Sequence, residues 1–481
     1  MLSFYKMKHL FYILTVVFLA CSYTLRAQDV QRFSERQLIG TARYVGMGGA
    51  MTAIGGDPSA VLDNPAGLGL YRRSEVAITL DYASDKTTQR TTQNNAASSS
   101  TRSRFAAPHV SAIWAWGNPT KQRGLIYSNV MLSVNRLASF NRDVMVEGKD
   151  LGLVSTICNI TNDMGGVAEK NLQNTPWDDV EIGWLSILGY EAYLINPQND
   201  NKWEPAVALK DGTLTVSETG ASDQYTLSWA SNISNQWYVG LSLNVPTLSY
   251  TKRTSHYETD RVNSAELKSL YHLSGLGVNG SVGLIYRPIQ ALRVGASFQT
   301  PTVMSLSMQT EGDMYSLVDG QKYDVLTPES GVVSTEMVSP LRTSVSVAGQ
   351  IGNEGLIAVQ YDYAHSAEME DVHTLRVGAE AQATRGLFIN AGYVYESSFT
   401  KEDPIWMLGY NEIRTDIDYR YTASTQYYSV GLGYRSDVVV AQLAYQYRWQ
   451  TLHQYASECQ LLPMEVDTRT HRIVATLAWR F

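Results

Sequence analysis

The amino-acid sequence predicts an all-β protein, a transmembrane antiparallel β-barrel of about 14 strands. Three observations carry that prediction. From residue 76 onward, segments of about ten residues alternate apolar and polar side chains with period two, the spacing of a strand rather than a helix. The connections between these segments alternate short and long. The composition is low in charge, 17%, against roughly 25% in soluble domains. It is not apolar overall, because mean hydropathy is −0.18 and Gly (36) and Tyr (30) take up the difference. Such a chain is neither a disordered one, nor a polytopic helical membrane protein, nor a Lys/Glu/Ala-rich bundle.

The first element is a targeting segment. Lys6, Lys8 and His9 precede the apolar stretch Leu10 to Ala20, and Leu25-Arg26-Ala27 closes the region. A basic n-region, an apolar h-region and a small residue predict a signal peptide over 1–27, cut after Ala27. The competing reading lipidates Cys21 after Phe18-Leu19-Ala20, although Leu19 fits a lipobox poorly. Losing Lys6, Lys8 and Arg26 moves the formal net charge from −8 to −11. An acidic chain lacks the basic patches that nucleic acid requires. The expected location is the outer membrane of a Gram-negative cell.

Strands follow near 76–86, 103–116, 123–139, 222–231, 236–254, 267–287, 291–311, 332–350, 355–366, 372–383, 386–398, 422–435, 437–451 and 468–481. In the thirteenth, Val439, Ala441, Leu443, Tyr445, Tyr447 and Trp449 share one face, with Gln442, Gln446, Arg448 and Gln450 on the other. Aromatics crowd strand ends (Trp114, Trp116, Trp479, Phe481), as interface girdles do. Six connections are short, among them Asn232–Asn235 and Thr384–Arg385, and seven are read as longer, above all 140–221 and 399–421. An outer-membrane barrel keeps its short turns periplasmic and its long loops outside. The loop 140–221 holds 13 acidic and 5 basic residues, and Trp177, Trp184, Tyr190 and Tyr193 predict a folded, partly helical cap. Cys158 and Cys459 both fall on the outer side, so either a disulfide or two separate thiols fits. No CxxC or metal-type spacing is present, and no cofactor is expected.

Residues 28–75 do not read as strand. They contain GTARYVGMGGAMTAIGGDPSAVLDNPAGL, with Gly46, Gly48 and Gly49 for tight backbone packing and Asp63-Asn64-Pro65 as a turn signal. A dinucleotide fingerprint is a weak match here, because no strand precedes the glycines. This string resembles the N-terminal hatch of the long-chain fatty-acid and aromatic hydrocarbon transporter family of FadL/TodX type. Asn64, Pro65, Ala66 and Gly67, followed by Leu68, match its Asn-Pro-Ala motif residue by residue. The resemblance continues weakly in LRVGASFQTP (292–301), SPLRTSVSVAGQI (339–351) and LRVGAEAQATRGLFINAGYVYE (375–396). It implies a 14-stranded barrel over 76–481, a hatch inside its lumen, and passive uptake of hydrophobic small molecules through a lateral exit at a kinked strand.

Arg293, Asp362, Arg376, Glu380, Glu396, Arg448 and Arg472 fall on the polar face and are expected to point into the lumen, because Arg on the lipid face costs about 2–4 kcal/mol at midplane. They would pair with one another and the hatch, or one Arg would receive a carboxylate headgroup. The third strand, with Asn129, Asn135 and Arg136, is the candidate for the kink. The segment His365–His373 could ligate metal or haem, but reads better as a solvated loop. His109 and His272 lie on strands without a recognisable nucleophile beside them, so no enzyme is expected. Expected partners are the bilayer, a hydrophobic ligand and the outer-membrane assembly machinery, the last through the C-terminal strand ending at Phe481. The alternative is a receptor or porin for another ligand such as haem, or a surface barrel acting mainly through its loops.

Overall fold

The structure is a computed structural model and describes residues 27–90, 97–174, 177–179, 181–328, 331–352, 354–366, 370–398, 412–460 and 464–481. The predicted signal peptide except Ala27, Cys21, and residues 399–411 of the second predicted long loop lie outside these residues.

Among them, 18 strand segments form one antiparallel sheet. Three pairs of segments are single staves interrupted by a break, and Gln321–Leu326 is a side hairpin, which leaves 14 staves. They are β1 (Glu75–Arg90), β2 (Ala97–Gly117), β3 (Leu125–Ser139, then Arg142–Lys149), β4 (Asp211–Ile233), β5 (Trp237–Thr259), β6 (Ser264–Ile289) and β7 (Leu292–Gln299, then Val303–Val318). The second half comprises β8 (Gly331–Val338, then Leu341–Ile351), β9 (Gly355–His365), β10 (Val372–Thr384), β11 (Leu387–Glu396), β12 (Tyr419–Arg435), β13 (Val439–Tyr455) and β14 (Met464–Arg480). Each stave pairs with the next, and β14 closes on β1 from Glu75↔Arg480 to Arg90↔Glu465. The predicted barrel and its strand number hold.

The polarity is inverted relative to a soluble sheet. Along β1, Val76, Ile78, Leu80 and Tyr82 are exposed, while Ala77, Thr79, Asp81 and Ala83 are buried. The same alternation puts Leu443 and Tyr445 outside and Gln446 and Arg448 inside on β13. An outward apolar band around a polar interior is the pattern of a bilayer-spanning barrel.

The loop boundaries need correction. β3 continues to Lys149 and β4 starts at Asp211, so the connection read as 140–221 spans 150–210. The link between β5 and β6 is only Asp260–Asn263, and β12 begins at Tyr419 within the loop placed at 399–421. The asymmetry between the two ends therefore resides largely in strands that run on past the apolar band, which polar alternation beyond that band did not reveal. The cap is partly helical, with α-helices at Leu153–Asn162, Glu169–Leu172 and Trp184–Glu191. Its core packs Ile157, Leu185 and Leu188 against Ala265, Leu267 and Met314 of β6 and β7. Cys158 and Cys459 are both free, so the disulfide alternative does not occur in this structure. Cys158 is buried in the cap core, and burial pushes its thiol up to about 12.

Candidate functional site

The N-terminal segment from 27 to 74 runs within the ring of staves. It begins with α1 (Ala27–Ser34) and α2 (Ala42–Gly46), the latter capped by Thr41, whose side chain accepts from the Tyr44 amide. The Asn64 side chain caps the 3-10 turn Pro65–Leu70 by accepting from the Ala66 amide. Its Nδ2 donates to the carbonyls of Thr52 (2.8 Å) and Leu284 on β6 (3.2 Å). The segment lies flush on the wall where the wall has no side chains. Gly378 and Gly392 face each other across β10 and β11, and a Cβ on Gly392 would stand 2.1 Å from the Gly48 amide nitrogen. Gly48 itself has φ +62, which a side chain rarely tolerates.

The charges singled out from the sequence distribute as follows. Arg376 contacts Asp362 (2.7 Å), Asp63 (3.3 Å) and the Tyr44 hydroxyl (3.0 Å), and Arg43 forks onto Glu380 at 2.7 and 2.8 Å. Arg472 reaches Asp81 at 3.4 Å and donates to the Leu38 carbonyl. Arg293 donates to the Ile54 carbonyl at 2.9 Å, Arg448 lies over the Tyr427 ring, and Glu396 accepts from Thr374. Sequence reasoning missed the larger network around α1. Asp29 meets Arg414, which forks onto Asp416, and Asp416 meets Lys252 at 2.8 Å. Arg32 and Arg142 share Glu218, and all of these side chains are buried. Apart from Arg414 and Asp416, these partners lie 76 or more residues apart, which leaves no local signal. Arg36 and Arg342 were also missed. They line a crevice beside Asp63 and Arg376 with no carboxylate at salt-bridge distance among the described residues, donating to Gln299 and to the Ser34 carbonyl.

The wall is not uniform. The β2–β3 ladder runs from Gly117↔Tyr127 only to His109↔Asn135. Beyond that level β2 continues to pair with β1 as far as Arg90↔Ala97, and β3 continues with β4 to Ser139↔Ala221 and from Arg142↔Glu218 onward. Residues 97–108 of β2 and 136–149 of β3 thus form no ladder with each other. Pro108 sits at the point of separation, without an N–H to donate, and the β1–β2 register shifts between Thr79 and Asp81 at the same level. Side chains bridge the gap instead: Ser100 donates to the Asp143 carbonyl (2.6 Å), Arg102 pairs with Asp143 (3.2 Å), and Arg104 meets Ser139. On the lumen side, Gln37 takes the freed edge of β3, its amide donating to Leu137 O (2.9 Å) and its Nε2 to Ser139 O (3.0 Å). The separation starts at Pro108, between the exposed side chains of Val110 and Phe105, and so within the outer part of the apolar band.

Immediately inside the gap lies an apolar cluster. Ala138, Phe140, Leu248, Leu273, Met304, Leu306 and Met337 surround Val30 and Phe33 of α1. Phe33 meets Phe140 and Tyr250 edge-on, with centroids at 5.6 and 5.0 Å. The pocket is therefore filled by the segment preceding the glycine-rich string.

The histidines resolve differently from expectation. His109 has a neighbour that sequence inspection passed over: Nε2 lies 3.0 Å from Ser111 Oγ, and Nδ1 lies 2.5 Å from Asn135 Oδ1. A Ser–His–Asn chain needs backbone donors free to hold an oxyanion. Ser111 is laddered on both edges, to Ala77 and to Ser133, so its strand offers none. His272 meets Thr251, His365 meets Asp371 and His373 meets Tyr361.

A closed antiparallel barrel of fourteen staves is the fold this chain shares with solved FadL/TodX-type transporters. The similarity extends over nearly the whole chain. The toluene transporter TodX of Pseudomonas putida superposes with a TM-score of 0.53 at 11% identity, covering 92% of this chain and 99% of TodX. The toluene transporter TbuX of Ralstonia pickettii gives 0.52 at 14% identity, over 92% and 99%. A FadL homologue of Pseudomonas aeruginosa gives 0.51 at 12% identity, over 93% and 99%. No protein-family profile and no curated protein matches the sequence.

Proposed function

We propose that the protein is a passive outer-membrane transporter of hydrophobic small molecules, a distant member of the FadL/TodX type, and that its N-terminal segment is the hatch. The observation that carries this reading is the unladdered β2–β3 seam beside an apolar pocket held shut by Val30, Phe33 and Gln37. A ligand entering from the outer side competes with Val30 and Phe33 for that pocket. Displacing α1 draws Gln37 off the β3 edge and leaves only the side-chain bridges at Ser100, Arg102 and Arg104 across the seam. An apolar ligand then leaves sideways into the bilayer without crossing a polar lumen. For an acidic ligand, Arg36 and Arg342 are the guanidiniums of the lumen crevice beside Asp63 that no carboxylate pairs among the described residues. The structural neighbours named for toluene transport and as a FadL homologue support this class of ligand.

The test staples the seam. Ser100→Cys and Asp143→Cys, in a background without Cys158 and Cys459, are bridged by a reducible bifunctional thiol reagent, and cellular uptake of labelled toluene and palmitate is followed. Uptake is expected to fall at least tenfold on bridging and to recover on reduction. Uptake unaffected by the bridge rejects the lateral route. Uptake no greater than in cells lacking the protein rejects transport of these probes altogether.

A further inference from the structure

Six arginines converge at the short-turn mouth of the barrel, the end assigned to the periplasm. They are Arg43 of α2, Arg72 and Arg73 before β1, Arg293 of β7, Arg435 ending β12 and Arg480 ending β14. Together they line a cavity of about 460 Å³ whose apolar wall is Ile54, Leu70 and Leu356. That volume falls in the roughly 300–1,000 Å³ range of small-molecule sites.

Three of the guanidiniums are neutralised. Arg43 forks onto Glu380, Arg480 meets Glu75 at 2.7 Å, and Arg73 faces Asp437 at 3.7 Å. The other three have no carboxylate at salt-bridge distance among the described residues. Arg293 uses one N–H on the Ile54 carbonyl. Arg435 stacks on Phe388 at 4.9 Å, and its buried Nε meets no acceptor. Arg72 is exposed at the rim. Uncompensated cations around one cavity repel one another unless an anion joins them. The planar guanidinium fork matches carboxylate and phosphate oxygens in pairs.

We propose that this mouth is a binding site for an organic oxyanion, a carboxylate or phosphate on a short apolar body, held by Arg72, Arg293 and Arg435 with its body against Leu70 and Leu356. The site lies at the opposite end of the lumen from the α1 pocket, so it stands apart from the transport reading.

Calorimetric titration of the full chain, purified from membranes in neutral detergent, tests it with octanoate, octyl phosphate, inorganic phosphate and octanol. Octanoate or octyl phosphate is expected to bind one to one, more weakly as salt rises, and the stronger of the two identifies the headgroup. Arg72→Gln with Arg435→Gln should weaken binding at least tenfold, and Lys at both positions should restore part of it. Unchanged circular dichroism establishes that these variants fold. Octanol binding as tightly as the anions, or inorganic phosphate binding as tightly as octyl phosphate, would overturn the proposal. So would a loss caused by Arg342→Gln but not by the rim pair, since that places the anion in the lumen.

Discussion

Asn64 joins three parts of the molecule through one amide: it caps its own turn, holds the Thr52 carbonyl and reaches the β6 backbone at Leu284. Asn64→Ala removes all three bonds and leaves buried carbonyls unpaired, a loss of about 1–3 kcal/mol. Urea unfolding in lipid vesicles should show that decrease, and an unchanged midpoint would mean that water replaces the amide. The neighbouring Gly283 belongs to the same arrangement, because a Cβ there would stand 1.8 Å from Asn64 Oδ1. The NPAGL string made Asn64 legible from sequence. Arg36, Arg342 and the Asp29–Arg414 pair were not legible, since their roles depend on partners brought together by the closed barrel. Cys158 gives a separate test of the cap. With its thiol pushed up to about 12 by burial, thiolate is scarce at pH 8. Maleimide labelling should be about a thousandfold slower than for an exposed cysteine, and fast labelling would mean that the cap core opens.

At the scale of elements, α1 is joined to the β2–β3 seam by Gln37, which bonds the β3 edge, and by Val30 and Phe33, which pack on Ala138 and Phe140. α1 has a buried polar side, Asp29 and Arg32, tied into β4, β5 and the irregular segment leading to β12, and an apolar side, Val30 and Phe33, set in the pocket. Phe33→Ala leaves the polar side intact and empties part of the pocket, at a cost of about 3 kcal/mol. The expected result is faster trypsin cleavage at Arg32 and Arg36, with no change in cleavage of the barrel. Equal protection in the variant would show that the polar ties alone hold α1. From sequence, Asn129, Asn135 and Arg136 make the third strand the candidate for a kink. The local signal was stronger on β2, where Pro108 interrupts an otherwise regular strand at the level where pairing with β3 ends. The helix itself was not legible, because eight residues after a targeting segment present too short a period to separate from coil.

At the scale of the whole molecule, the alternation that identified strands in the sequence has its faces reversed relative to a water-soluble fold. Leu443 lies in the middle of the exposed apolar run of β13 from Val439 to Trp449, 51% exposed, with Ala444 and Gln446 turned inward. In a protein surrounded by water, replacing such a residue by Arg would change stability by no more than about 0.5 kcal/mol. In a bilayer the same substitution places a guanidinium among acyl chains and costs about 2–4 kcal/mol near the midplane, falling to about 0–1 toward the interfaces. Leu443→Arg should therefore lower unfolding stability in vesicles by about 2–4 kcal/mol. Trp479→Arg, at the short-turn end of β14 and 65% exposed, should cost far less. A steep dependence on depth along the staves would establish that the apolar band faces lipid. Equal, small effects at both positions would mean that the band is covered by something other than a bilayer, and the lateral route would lose the compartment into which it opens.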